Sequence, residues 1–179
     1  MRSYVLAALV VQLLPTTALT QRDETATLDP VPLFESNDVL TLTLEAPLKT
    51  IFREREQESE YHPGTLSYET EGGEQARLDV RLKTRGKTRL MRRICGFPPI
   101  RIDFRRSQVP GTPFAGQNSL KVVTHCQDRR SEYEQSVLLE YLIYRAFNEL
   151  TEMSFRVRLA HVTWIDTDDD RDTVTKYAF

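Results

Sequence analysis

The segment Arg77-Leu78-Asp79-Val80-Arg81-Leu82-Lys83-Thr84-Arg85-Gly86 decides the fold. Leu78, Val80 and Leu82 recur at every second position, with Arg77, Asp79, Arg81, Lys83 and Arg85 between them. Successive side chains of a strand point to opposite faces, so this period of two describes a strand with one face in a core and the other strongly basic. Gly86 ends it. Working outward, the same alternation appears at Val39 to Glu45, where Leu40, Leu42 and Leu44 share a face, and again at Ile100 to Phe104. Leu66 to Thr70, Leu120 to Thr124 and Val174 to Phe179 supply further short strands, and Glu71-Gly72-Gly73-Glu74 is a hairpin turn into the basic strand. Pro110-Gly111-Thr112-Pro113 marks a loop. Ala46 to Glu56 suits a short helix with Pro47 in its first turn, and Gln57 to Gly64 reads as acidic and irregular.

Ser131-Glu132-Tyr133-Glu134 has the spacing of a capping box, and a helix is expected from there to about Leu150. Its apolar residues lie around so much of the circumference that the helix should be largely buried. Phe155 to Leu159 reads as a strand whose apolar parity switches at Ala160, Val162 and Trp164, which implies a bulge or burial on both faces. Asp166 to Asp172 is an acidic turn. The expected class is therefore α+β: a largely antiparallel sheet packed against one long buried helix, plus a short helix.

The N-terminus carries a different signal. Met1-Arg2-Ser3 is a short positive region, Tyr4 to Leu14 is apolar, and small residues follow Pro15 as far as Gln21. That order is the pattern of a cleavable secretory signal over residues 1–20, and the apolar run is shorter than the roughly 20 residues needed to span a bilayer. Residues 21–38 read as an extended lead-in, and residues 39–179 as a single domain that breaks off within its last strand. The expected location is secreted or periplasmic, with no transmembrane anchor after signal removal. Cys95 and Cys126, a lone pair in an exported chain, are expected to form a disulfide; their spacing does not suit zinc.

Net charge is −2, yet its distribution is uneven. Glu54 to Glu74 holds seven acidic residues against one basic, whereas Arg77 to Arg106 holds eleven basic against two acidic. Such asymmetry predicts a basic surface separate from an acidic one, with an anionic ligand or a cell-envelope component as partner. No specific nucleic-acid motif occurs. Arg85, Gly86 and Lys87 could bind an anion, because glycine lets the backbone approach and guanidinium groups match phosphate or carboxylate; a solvated basic turn is the alternative. Glu140, on the apolar helix, needs a basic partner, and Lys121, Lys83 or Arg85 are the candidates. In kinase-like folds a strand-lysine and helix-glutamate pair orients nucleotide phosphates; a purely structural pair, or a Glu140 that reaches solvent, is the plain alternative. The acidic turn lacks the Gly and Glu of a calcium loop. His62, His125 and His161 have no triad or metal spacing, so no catalytic residue and no metal site are assigned.

Several of these segments in order form a resemblance: Arg85-Gly86 at a strand end, Phe114-x-Gly116 before Leu120-Lys121, the helix Leu138 to Arg145, the strand Phe155 to Trp164, and Tyr177-Ala178-Phe179. Over roughly residues 77–179 the chain resembles the N-terminal half of the spore-coat CotH family. The resemblance implies an atypical, protein-kinase-like fold in an exported protein, with this chain as the N-lobe-like part. It also implies that ATP and Mg would be used only with a second lobe, so that the chain as it stands is incomplete, inactive alone and without a cofactor. Arg85 and Gly86 match the family's Arg-Gly, but Lys87-Thr88-Arg89 follow where the family has small polar residues. The alternative is a secreted binding module that uses a basic sheet face for anionic polymers or surfaces.

Overall fold

A computed structural model describes residues 32–179 except 57, 71 and 170. The signal segment and most of the lead-in lie outside the described residues. A short 3-10 turn at Pro32–Phe34 precedes β1 (Leu40–Ala46) and α1 (Leu48–Arg53). Then come β2 (His62–Glu69), β3 (Gln75–Thr84), a 3-10 turn at Thr88–Leu90, β4 (Ile100–Phe104) and β5 (Ser119–Val122). The long helix α2 (Ser131–Leu150) and the hairpin β6 (Ala160–Asp166) and β7 (Val174–Ala178) complete the domain.

The strands form one seven-stranded sheet in the order β5-β4-β3-β2-β1-β6-β7. Every neighbouring pair is antiparallel except β1 and β6, which run parallel with Leu42 beside Val162 and Leu44 beside Trp164. The sheet is mixed, and the class is α+β. It also curls. Just beyond its two edge strands, the Val123 N–H donates to the Phe179 carbonyl at 2.7 Å and the Phe179 N–H to the Val123 carbonyl at 3.3 Å. Strand twist accumulates across a sheet, and pairing the two edges at one corner turns a twisted sheet into a barrel-like shell while covering groups that would otherwise lie open.

The alternation read from the sequence sets which residues enter the shell. On β3, Leu78, Val80 and Leu82 are buried while Arg77, Asp79 and Arg81 are exposed. In register with them are Leu66 on β2 and Ile102 and Phe104 on β4, and Trp164 completes the same layer from β6. Gly64 permits the tight crossing of β2 over this layer, since a Cβ there would stand 2.4 Å from the Leu82 Cδ1 and 2.7 Å from the Glu45 carbonyl. The strand β2 starts at His62, so residues 62–64 are paired rather than irregular: their partners Leu82, Arg81 and Val80 on β3 recruit them. α1 has no side-chain cap of its own; Asp166 accepts from the Lys49 N–H at 3.2 Å, and Asp168 from the Thr50 N–H at 3.0 Å and the Thr50 hydroxyl at 2.9 Å. The acidic turn of the β6–β7 hairpin is thereby tied to α1.

Three local expectations are corrected. Residues 155–159 are not a strand; the ladder begins at Ala160, where the parity changes, so no bulge is needed. Ser131 and Glu134 form no capping box, because the Glu134 carboxylate accepts from the Tyr177 N–H at 2.9 Å and the Lys176 ammonium at 3.0 Å instead. And α2 is not largely buried. It contacts β7, with Val137 as its only fully buried residue and with Tyr141 and Tyr144 against the Phe179 ring. Leu139, Leu142, Ile143, Phe147 and Leu150 are between 54% and 81% exposed. The curled sheet supplies most of its own core, so only one stripe of the helix is needed to cover it.

Candidate ligand-binding cavity

Curling leaves an apolar cavity of about 560 Å³ inside the shell. Its wall is built by the inward faces of the strands, with Leu42 and Leu44 from β1, Ile102 from β4, and Val162 and Trp164 from β6. Phe114, from the loop before β5, adds an aromatic surface. Such a volume lies within the usual range of small-molecule sites, which are mostly apolar with a few placed polar groups. The polar groups here gather at the rim. Arg85 comes from the end of β3, Lys121 from β5 and Tyr144 from α2, and the segment Ser154 to Arg158 also lines the cavity.

Two of the residues singled out by sequence thus line one cavity. Arg85 lies just past β3, where its N–H donates to the Pro99 carbonyl at 2.9 Å. Its half-buried guanidinium finds no hydrogen-bond acceptor or ion-pair partner among the described residues. Burial first, then the charges of Arg101 and Arg89, lower its pKa from the ordinary guanidinium value, while Tyr144 and Glu140 act the other way. Arg85 therefore sits in a net positive, partly desolvated place, the condition in which a guanidinium gains most from an anion. The Lys121 ammonium lies 5.5 Å over the Phe155 ring, a cation–π contact at the rim.

Gly86 and Lys87 are not part of this lining. Gly86 has φ +112° with open space around it, so glycine serves the backbone turn rather than a close approach. Lys87 is exposed and leads into the 3-10 turn at Thr88–Leu90. Glu140 is held by a base, but by Arg89 at 2.8 Å and not by Lys121, Lys83 or Arg85. Both partners are about one-third exposed or more, so this is a semi-exposed pair rather than a buried charge. The expected strand bases have other engagements: Lys83 donates to the Ser59 carbonyl at 3.2 Å and lies 4.9 Å over the Tyr61 ring.

The outer basic face is less free than its composition suggests. Arg81 is paired with Asp103, and Arg105 lies 3.5 Å from Asp79. Cys95 and Cys126 are joined in a disulfide. Around it, Arg55 donates to the Cys95 and Gly96 carbonyls, and the Phe97 N–H donates to the Cys126 carbonyl at 2.8 Å. Beside this bridge lies a network that the sequence did not reveal. His125, 1% exposed, bonds Asp128 at 2.6 Å, and Arg171 donates to the same carboxylate at 3.0 Å while stacking 5.0 Å from the Phe52 ring. The His125 bond, opposed by burial and joined by the charges of His125, Arg171 and Lys176, holds the Asp128 carboxyl below its usual range. Residues 125, 128 and 171 come from two loops, so no spacing pattern could have joined them. Trp164 entered the sequence reading only as part of a parity switch; it lies inside the shell, in alternation with Val162.

Among the described residues no group of three or more His, Cys, Asp or Glu could hold a metal ion, and no helix is long and apolar enough to cross a membrane. Comparison with known proteins gave no match: no family model, no curated protein and no solved structure matches the chain.

Proposed function

We propose that this domain is a binding module that works outside the cytoplasm and holds a small apolar or amphipathic molecule inside its curled sheet. The observation that carries the reading is the 560 Å³ cavity, walled by strand side chains and open beside Arg85 and Lys121. Strand layers normally interdigitate and leave few voids larger than a water molecule, so a partly open, mostly apolar space of this size is a feature that favours a ligand. The Cys95–Cys126 disulfide supports an extracytoplasmic setting, because such bonds persist in oxidising compartments.

The test uses the single tryptophan, Trp164, which lines the cavity. Titration with the neutral probe N-phenylnaphthylamine should quench Trp164 fluorescence and raise probe emission in a saturable way. Ala160→Phe, which places a ring at a lining position, should weaken that binding by about tenfold or more in protein that remains folded by circular dichroism. Absence of saturable binding by the native protein overturns the reading.

A second reading is the CotH-like, kinase-related one, in which the domain is the N-lobe-like part of an exported phosphotransferase that is inactive alone. The feature in its favour is that the helix glutamate Glu140 engages a base, Arg89, next to Arg85. Against it, that base comes from a turn, and the sheet contains the parallel β1–β6 pair. Calorimetry with ATP and magnesium separates the two: saturable ATP binding that Glu140→Gln weakens supports the kinase-related reading, and its absence leaves the module. The surface-binding variant of the module predicts salt-dependent retention on heparin through the outer basic face.

A further inference from the structure

We infer that the ligand is a single-chain amphipathic monoanion, of the acyl carboxylate type, with its apolar chain in the cavity and its head group between Arg85 and Lys121. This rests on the cavity reading above and adds the chemistry of the occupant.

The charge arrangement at the mouth carries the inference. Across β3, β4 and β5 the cross-strand register places Lys83 opposite Arg101 and Arg101 opposite Lys121, three cations in a row with no acid between them. Like charges directly opposed in a sheet are destabilising. Two residues further along these strands, on the same face, the register is charge-matched, with Arg81 opposite and bonded to Asp103. Of this row, Lys121 also lines the cavity. Arg85 lies at the end of the same β3 face, half-buried and without an acceptor, and Glu140, which acts on it electrostatically, is already engaged by Arg89.

The other cations of the rim are occupied. Arg158 donates to the Asp38 carbonyl at 3.0 Å and to the Leu33 carbonyl at 3.2 Å, which closes the segment against the 3-10 turn, and Arg156 donates to the Asn148 carbonyl at 3.4 Å. Arg85, which has no acceptor among the described residues, and Lys121, whose contact is the Phe155 ring, are the lining cations left to meet an anion, and an anion there satisfies the partly desolvated guanidinium. The wall is mostly apolar, so the rest of the molecule is hydrocarbon-like. A small hydrophilic anion would leave the cavity unfilled, and a neutral hydrocarbon would leave Arg85 unpaired.

The experiment is competition against bound N-phenylnaphthylamine by laurate, lauryl alcohol and methyl laurate, with Trp164 fluorescence as a second signal. Laurate is expected to compete at a concentration about tenfold or more below that of the alcohol or ester, the usual scale for a hydrogen bond to a charged group. Arg85→Gln should bring that ratio close to one, and Lys121→Gln, at an exposed side chain, should reduce it. Equal competition by acid, alcohol and ester in the native protein overturns the inference while leaving the cavity reading intact; failure of the neutral probe to bind overturns both. Retention of the full laurate preference by Arg85→Gln and Lys121→Gln overturns the assigned head-group site. Vesicles of phosphatidylglycerol provide the remaining arm: binding to monomeric laurate supports a free amphiphile, whereas capture by vesicles with no response to laurate refutes it.

Discussion

Removing the Cys95–Cys126 bridge should destabilise the domain mainly by enlarging its unfolded ensemble. The two residues are 31 positions apart. Chain-entropy loss on closing a loop of that length corresponds to about 3.7 kcal/mol at room temperature. For a domain of this size that is a fall in Tm of about 10 °C. The native state has reasons to survive the change, because hydrogen bonds, among them the Phe97 N–H to the Cys126 carbonyl at 2.8 Å, hold the two segments together without sulfur. The Thr124 hydroxyl donates to the Phe97 carbonyl at 2.8 Å, the Gln127 side chain donates to the Ile94 carbonyl at 3.0 Å, and Arg55, just past α1, holds the Cys95 and Gly96 carbonyls in place. The perturbation is Cys95→Ala with Cys126→Ala, compared with reduced native protein, which keeps both sulfur atoms and so separates loop entropy from lost packing. The assay is urea unfolding followed by Trp164 fluorescence and far-ultraviolet circular dichroism. Both forms should lose about the same stability while keeping the native spectrum. A loss below about 1 kcal/mol, or a reduced protein with no native Trp164 signal, would refute the reasoning.

Asp128→Asn tests the buried network. A carboxyl whose folded pKa is depressed contributes stability above its unfolded pKa of about 3.9 and loses it as pH falls through the folded value. The variant should be less stable at neutral pH by about 1–3 kcal/mol, with the gap to native protein closing below about pH 4; parallel curves of Tm against pH would exclude the assignment. Gly64→Ala should cost about 1–3 kcal/mol in urea unfolding, since the new methyl meets the Glu45 carbonyl as well as Leu82. On α2, Ile143→Glu should change stability by no more than about 0.5 kcal/mol, whereas Val137→Ala should cost about 1–3 kcal/mol; the reverse order in thermal melts would mean that the helix is turned the other way.

Much of this architecture is decided by short-range physics that a sequence displays. Leu78, Val80 and Leu82 face inward because a pleated strand alternates, and any sheet that buries one face must bury these three. The turn before β3, the extent of α2 from Ser131 to Leu150 and the Cys95–Cys126 pairing were legible for the same kind of reason: each depends on residue types and spacings within one segment, or on there being only two cysteines. The sequence also singled out Arg85 and Lys121 as anion-binding candidates, though not the apolar space that they border.

Other features needed the tertiary structure because they depend on which segments meet. The apolar helix was read as buried, but burial depends on the partner surface, and a sheet that curls onto itself leaves room for one helical stripe only. Glu134 had the local spacing of a cap, yet the Lys176 ammonium and Tyr177 N–H of β7 offer its carboxylate two donors, and long-range donors outcompeted the local one. Glu140 found Arg89 rather than a strand base because a turn, not the sheet face, lies against that part of α2. The His125–Asp128–Arg171 network joins two loops with no shared periodicity. Side-chain alternation and helix periodicity belong to the chain itself. The pairing of Val123 with Phe179, which closes the shell and shapes the cavity, is a contact between distant residues that no local pattern encodes.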